Sequence, residues 1–312
     1  MNLTERTRAY LLLCVMPLFF TSNLIIGRAA IDAVEPFTLA FLRWALAAAI
    51  LLPFAWGGLR RHAELLRGEW RLLTLLGFLG MWICGAVVYL ALQFTTATNG
   101  TLIYTASPVL ILLLERIFRG RVIGVREAIG IVLALGGVVT IVVKGSVDVL
   151  LGMRFNAGDL LFAGCALSWA VYCVLLKDRR VAPLPSTVLF AATTITGALT
   201  LAPFMAFEVL HTGRFPLDAE AWLSIGGIVI SASLLAFSCF QYGIKVLGPS
   251  VTGLFMYLLP PYGVLMAIVF LGEEFHAFHA AGSALVMSGL ILATAPSRLL
   301  TAPFAALRGA RS

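Results

Sequence analysis

Aromatic, amide and hydroxyl side chains recur inside the long apolar runs of this sequence, where a side chain can bind a ligand away from bulk water. Residues three, four or seven apart share one face of a helix, and the spacings group these side chains into stripes. A polar group in hydrocarbon is costly without a partner, so the stripes should face the protein interior. We interpret them as the wall of a ligand cavity, formed by Asn23, Trp82, Tyr89, Tyr104, Trp169, Tyr172, Ser238, Gln241 and Tyr257.

Each of these residues also has a structural explanation. Small residues such as Ser238 let helices pack closely, and this is the interpretation that we favour for them. The amides of Asn23 and Gln241 suit a cavity wall and a structural hydrogen bond equally well. Tyr and Trp also collect at membrane surfaces. Among the aromatic residues, the cavity interpretation is favoured for Trp169, Tyr89 and Tyr257.

Proline interrupts two of the apolar runs, at Pro108 and at Pro260–Pro261. A proline removes one backbone hydrogen bond of a helix and leaves a carbonyl group free. Such a site can expose backbone to a ligand or provide a kink for gating. Simple kinks are equally common, and the sequence leaves the choice open.

Charged residues inside the runs are scarce. Arg43 lies about two turns into the second run. It could neutralise a substrate carboxylate, but a structural bond near the membrane surface is the favoured interpretation. Glu115 and Arg116, near the end of the fourth run, are interpreted as interfacial. With no Asp or Glu at the centre of a run, the sequence gives no indication of proton coupling.

Catalytic signatures are missing from the sequence. It contains no His/Glu metal pair within a helix, no Gly-x-Ser-x-Gly turn and no Walker loop. His276 and His279 lie one helical turn apart beside Glu273, and solvated loop residues are favoured there over a metal site. The five cysteines lie in apolar runs without ligand spacing and are interpreted as packing residues. We therefore predict neither an enzyme nor a bound metal or cofactor.

The elements that position these residues must be membrane helices. The chain has 312 residues, of which 61% are hydrophobic and 12% charged, whereas about a quarter of a soluble domain is charged. The net charge of +7 is scattered in short clusters, which argues against nucleic-acid binding and for membrane lipids as partners. The first run is too long for a signal peptide and is predicted to be retained. Ten runs reach the roughly 17–25 residues that cross a bilayer: 10–27, 36–56, 72–93, 96–118, 126–143, 157–177, 187–208, 222–243, 248–271 and 277–296.

Basic residues predict the orientation. The two termini and the connections on their side of the membrane hold 17 Lys and Arg residues, and the other side holds 4. Because basic loops stay in the cytoplasm, both termini are predicted to be cytoplasmic in a multi-pass protein of the inner membrane.

The two halves of the sequence repeat. A shift of 153 residues aligns Tyr89 with Tyr242, Gly100 with Gly253, Tyr104 with Tyr257, Pro108 with Pro261 and Leu112 with Leu265. Nearby shifts align Gly130 with Gly282, Gly137 with Gly289, and Pro53–Phe54 with Pro203–Phe204. The unit has five spans. Because this number is odd, the second copy begins on the opposite side of the membrane and is inverted relative to the first. We predict an all-α membrane protein with inverted five-helix repeats at 1–147 and 148–298 and a basic tail at 299–312.

Several segments of the repeats resemble the ten-helix exporters of the drug/metabolite transporter superfamily, with two EamA-type repeats. Pro36–Arg43 is similar to the start of the family's second helix, Tyr89–Leu92 to the end of its third, and Leu271–Glu273 to the close of its ninth. The first half departs from the last pattern, because Gly120–Arg121 stands at that place. Trp169–Cys173 resembles, more narrowly, the YddG-type exporters of aromatic amino acids.

The resemblance implies export of small metabolites, with aromatic or other hydrophobic amino acids favoured, by alternating access. A multidrug or broad metabolite exporter is the alternative within transport, and an intramembrane enzyme is the alternative from another class. The partner is then a small-molecule substrate. The oligomeric state is left open by the sequence, which is compatible with a monomer.

Overall fold

A computed structural model describes residues 3–26, 34–152, 154–216, 218–272 and 274–294, and these residues form helices without a strand. The first helix, α1, is Leu3–Ile26. Nine later helices, α1 not being among them, are long and apolar enough to cross a membrane within the described ranges. This confirms the predicted all-α membrane fold. The nine are α2 Pro36–Arg61, α3 Trp70–Ala91, α4 Thr98–Arg119, α5 Val125–Val142, α6 Ala157–Leu175, α7 Ser186–Thr212, α8 Ala219–Leu247, α9 Pro249–Phe270 and α10 Ala277–Thr294.

Successive spans run in opposite directions, which gives the molecule two ends. We call the end where α1 begins and α10 ends the terminal side, and the other end the distal side. Two short helices lie in connections: Ala63–Gly68 on the terminal side and Val147–Leu151 on the distal side.

Local sequence signals set the ends of the spans. Helix α6 begins with a capping box, in which Asn156 accepts from the Asp159 amide (3.2 Å) and Asp159 accepts from the Asn156 amide (2.9 Å). At the symmetry-related ends of α4 and α9, Gly120 (φ 64°) and Gly272 (φ 68°) adopt the left-handed conformation that a helix terminus favours. The Asp159 carboxylate also accepts from Thr95 (2.5 Å), which fixes the tight α3–α4 turn to α6.

Helices α5 and α10 pack against each other through glycines. A Cβ atom added to Gly130 would lie 2.5 Å from the carbonyl oxygen of Gly289, and one added to Gly137 would lie 2.5 Å from that of Gly282. The repeat relation maps Gly130 to Gly282 and Gly137 to Gly289, so it converts the first contact into the second. This exchange is what a pseudo-two-fold axis between inverted repeats produces.

Corresponding helices of the two repeats also share their irregularities. Helices α3 and α8 contain π-helical segments, Phe78–Val87 and Val229–Leu235. Helix α4 is interrupted between Tyr104 and Ser107, and α9 passes through a 3-10 turn at Phe255–Leu258, in each case just before the prolines. Because π turns and helix breaks recur at functional sites, these four helices are candidates for the wall of a ligand cavity.

Candidate functional site

A cavity of about 390 Å³ lies between the two repeats, in the distal half of the molecule. Its volume falls in the range of small-molecule sites. Seven helices contribute to its wall, three of them from the second repeat, counting α6, α8 and α9. The lining residues are Phe20, Thr21, Arg43, Trp44, Cys84, Gly85, Val88, Tyr89, Leu92, Gly100, Thr101, Tyr104, Thr105, Pro108, Phe162, Trp169, Ala232, Phe237, Met256, Tyr257, Leu259, Pro260 and Gly263.

Arg43 is the charged residue of this wall. It is only 7% exposed. Its Nε donates to Ser233 Oγ (2.5 Å) in the π segment of α8, and its Nη1 donates to Tyr89 Oη (3.3 Å) on α3. Its guanidinium carbon lies 4.8 Å from the centre of the Trp44 ring. Arg43 therefore joins helices of both repeats at the cavity.

Aromatic rings form the floor of the cavity. Trp169 is buried and donates from Nε1 to the sulfur of Met256 (3.0 Å). Its ring lies 5.0 Å from that of Phe240 and 5.6 Å from that of Phe237, measured between ring centres. Phe237 also meets Trp44 edge to face at 4.8 Å. Rings in this arrangement present apolar faces of fixed orientation, which suits an apolar or aromatic ligand.

The structure brings six of the sequence-predicted residues to the cavity wall. Five of them lie at or next to a helix irregularity, and Trp169 lies within the regular helix α6. They are Tyr89, Tyr104, Trp169, Tyr257, Pro108 and Pro260.

Trp82 lies elsewhere, in an aromatic cluster with Phe37, Phe78 and Phe204 on the outer side of α3. The stripe that placed Trp82 with Tyr89 assumed a regular α-helix. The π segment at Phe78–Val87 adds a wider turn between these two residues and rotates Trp82 away.

Ser238 is exposed on α8 and is not among the lining residues. Pro261 follows Pro260 but is likewise outside the wall. The side chain of Asn23 lies outside the part of the structure that is described.

Tyr172 and Gln241 bond each other behind the cavity wall, since Gln241 Nε2 donates to Tyr172 Oη (2.9 Å). Gln241 is 3% exposed, and its Oε1 has no hydrogen-bond partner. It lines a second, smaller cavity of about 140 Å³ on the terminal side, beside Lys177 and Lys245. These two predicted residues therefore belong to the opposite half of the molecule.

A polar cluster closes the terminal half. Glu115 on α4 is buried, and its carboxylate accepts from the backbone amide (3.0 Å) and the hydroxyl of Ser250 at the start of α9. The carboxylate also pairs with Arg119 (3.4 Å), which donates to the carbonyl of Val174 at the end of α6 (2.8 Å). The interfacial interpretation of Glu115 is corrected here, because the residue ties α4 to α9 of the other repeat.

Lysines reinforce this closure. Lys245 donates to the carbonyl of Leu184 (2.8 Å), and Lys177 donates to the carbonyls of Ile244 and Lys245. Burial lowers the pKa of Lys177, and neighbouring Arg119 adds to the effect. Cations at helix carboxyl ends interact favourably with the helix dipole.

The histidines near the distal end show no built metal site. His279 Nδ1 accepts from the His276 backbone amide (3.2 Å) at an exposed position. Glu273, the third member of the sequence hypothesis, is outside the described residues. Within the described ranges, no group of three His, Cys, Asp or Glu residues could hold an ion.

Comparison with known proteins identifies the architecture. The model of the EamA-like transporter family matches the chain twice, at residues 7–143 and 156–295. The chain belongs to the EamA-like transporter family. Each match covers one five-helix repeat of this EamA-like transporter, so the helices that meet at the cavity come from both copies of the family unit.

Relatives of this EamA-like transporter match along almost all of their length. It is 26% identical over 296 residues to the "Uncharacterized transporter YyaM" of Bacillus subtilis, covering 93% of this chain and 94% of the relative. It is 28% identical over 290 residues to an "Uncharacterized transporter" of Archaeoglobus fulgidus, and the match covers 93% of this chain and 98% of the relative. A solved structure titled "Crystal structure of protein" has the same fold, with a TM-score of 0.75 and 23% identity. The match covers 93% of this chain and 98% of the chain in that structure.

Proposed function

We propose that this transporter exports small amphipathic metabolites, namely amino acids with an aromatic or other hydrophobic side chain, by alternating access from the cytoplasm. The observation that carries the proposal is the cavity at the junction of the repeats, which combines aromatic walls with one buried arginine. Inverted-repeat transporters bind their substrates where the repeats meet.

The composition of the wall supports an amphipathic substrate. Tyr104, Trp169 and Phe237 offer ring faces to an apolar side chain, and Arg43 offers a charged group to a polar head. Apolar walls with a few placed polar groups are typical of small-molecule sites. A ligand with one apolar and one polar end fits this division.

The two halves of the molecule support alternating access. The larger cavity lies in the distal half, whereas contacts around Glu115 and Ser250 hold the terminal half together. This is the arrangement of a transporter that is closed on one side. The paired interruptions of α4 and α9 before Pro108 and Pro260 provide hinges on both repeats.

The distribution of basic residues supports the direction. With 17 Lys and Arg on the terminal side and 4 on the other, the terminal side faces the cytoplasm of an inner-membrane protein. In the proposed cycle, the described state is the one that follows release of substrate to the outside.

Counterflow in proteoliposomes tests the function. Vesicles containing the purified protein and a high concentration of unlabelled phenylalanine, leucine or glutamate are diluted into the same labelled amino acid. We expect transient accumulation for phenylalanine and leucine and little for glutamate, whose side chain carries a second charge. Protein-free vesicles and a Ser238→Ala variant, altered at an exposed position, serve as controls. Absence of accumulation for every amino acid would contradict the proposal.

A broad exporter of drugs is the second candidate, because most of the wall is apolar and would also accept larger amphipathic compounds. The same vesicles distinguish the two candidates. Accumulation of a lipophilic cation such as ethidium, with none of an amino acid, would favour the second.

A further inference from the structure

Arg43 has no negatively charged partner within the described structure. Arg119, Arg121, Arg180 and Arg214 form ion pairs with carboxylates, and Arg43 is in none of these pairs. The lining residues include no Asp or Glu. The hydrogen-bond partners of Arg43, Ser233 and Tyr89, are neutral hydroxyl groups.

A buried guanidinium that bonds only neutral groups keeps a large part of its desolvation cost. Hydroxyl oxygens satisfy its N–H groups, but they do not balance its charge. Buried charges in proteins are generally paired with an opposite charge. In the wall of a cavity, the missing anion can be supplied by a ligand.

Other polar groups of the wall point to the same ligand chemistry. Trp44 Nε1, a donor, and Tyr257 Oη, a donor and acceptor, have no hydrogen-bond partner, but both atoms are buried and neither is exposed to the cavity. The hydroxyls of Thr21 and Thr105 donate to carbonyls of their own helices, so that their oxygens remain as neutral acceptors. Among the described residues, the wall thus offers a ligand one cation, Arg43, and no carboxylate that could pair with an ammonium group.

We propose that the cavity recognises the carboxylate of its substrate through Arg43 and does not require an α-ammonium group. This inference rests on the proposed function and narrows it to molecules with one carboxylate and an apolar body, with or without an α-ammonium group. An amino acid is then one member of the class, and a 2-hydroxy acid of the same shape is another. Amines without a carboxylate are excluded, because they place a second positive charge beside Arg43.

A series of ligands on one carbon frame tests the inference. Phenylalanine carries both charged groups, 3-phenyllactate keeps the carboxylate, and phenylalaninamide and phenethylamine keep only the amine. Binding to the purified protein in nanodiscs is measured by quenching of tryptophan fluorescence. We expect phenylalanine and phenyllactate to bind within a few fold of each other, and at least about tenfold more tightly than the two amines.

Variants of Arg43 assign the preference to this residue. Arg43→Gln should bring the affinities for phenyllactate and phenylalaninamide to within about threefold, and Arg43→Lys, which keeps the charge, should retain part of the difference. Arg60→Gln is the matched control, since Arg60 is exposed on the same helix. The ligand series on the unaltered protein tests the inference even where a variant does not fold.

The possible failures are distinguishable. If phenylalaninamide binds as tightly as phenylalanine, or if Arg43→Gln keeps the preference, the assignment of carboxylate recognition is wrong while the proposed transport of amino acids stands. If no ligand of the series binds and none is transported, the proposed function fails and the inference fails with it.

Discussion

Gly130 on α5 and Gly289 on α10 lie so close that each Cα faces the carbonyl oxygen of the other residue. A Cβ atom added to Gly130 would lie 2.5 Å from the Gly289 carbonyl oxygen, and one added to Gly289 would clash with the Gly130 carbonyl oxygen. The obstacles are backbone atoms, which cannot rotate out of the way. The approach of the two helices therefore depends on the absence of a side chain at both positions.

Gly130→Ala should consequently destabilise the protein. Overpacking of a tight interior contact costs typically 1–3 kcal/mol, so we expect a lower midpoint of thermal unfolding in detergent. Gly136→Ala on the same helix is the matched control, because a Cβ atom there meets nothing within 4 Å. Equal midpoints for the two variants would show that the α5–α10 contact does not limit stability.

Trp169→Ala should reduce transport of an aromatic substrate while the amount of protein in the membrane stays near that of the unaltered chain. The ring borders the cavity, and an aromatic contact contributes about 0.5–1.5 kcal/mol beyond its buried area, which is about a two- to tenfold loss of affinity. Trp169→Phe should retain most of the activity. Trp82→Phe, in the outer aromatic cluster, is the comparison. If Trp169→Ala and Trp82→Phe lose the same fraction of transport activity, Trp169 does not belong to the site.

Single cysteines should report the two halves separately, in a background that lacks the five native cysteines. Tyr89→Cys, Tyr104→Cys and Tyr257→Cys line the larger cavity and should react with an aqueous thiol reagent added on the distal side. Gln241→Cys should react from the terminal side, where Gln241 lines the smaller cavity. Substrate should slow the first three reactions. If lipid-soluble reagents alone reach these positions, the assigned cavity faces lipid.

Reporter fusions should establish the orientation. Fusions after Ser312 and within residues 57–71 are expected to read as cytoplasmic, and a fusion within 144–156 as periplasmic, because of the asymmetry of basic residues. A phosphatase active only outside the cytoplasm, paired with a fluorescent protein active only inside it, measures both outcomes. A periplasmic carboxyl terminus would contradict the topology.

Glu115→Gln should shift the protein towards the state that opens on the terminal side. A hydrogen bond to a charged group contributes about 1.5–3 kcal/mol, so the population ratio should change by about tenfold or more. The readout is the labelling rate of the single cysteines: faster at Gln241→Cys and slower at Tyr104→Cys. Glu64→Gln, at an exposed acidic residue, should leave both rates unchanged. Unchanged rates in Glu115→Gln would mean that its bond to Ser250 does not hold the closure.

The spans and the repeat were predictable because hydropathy and matched residues such as Pro108 and Pro261 are properties of the sequence itself. The face on which a residue lies beyond a π segment could not be predicted from the sequence. Trp82 and Tyr89 are seven residues apart and share a face of a regular helix, yet the wide turn at Phe78–Val87 separates them. The burial of Glu115 was equally inaccessible, because its partner Ser250 lies 135 residues further along the chain.

The bond between Glu115 and Ser250 has no counterpart at the symmetry-related position on the distal side. The 153-residue shift places Ile268 at the position of Glu115 and Ala97 at that of Ser250, and neither residue type can form such a bond. The state closed on the terminal side therefore has a stabilising bond that the state closed on the distal side lacks, although the repeats share a fold. We expect the empty protein to leave this more stable state slowly. Exchange of one substrate molecule for another should then be faster than net export.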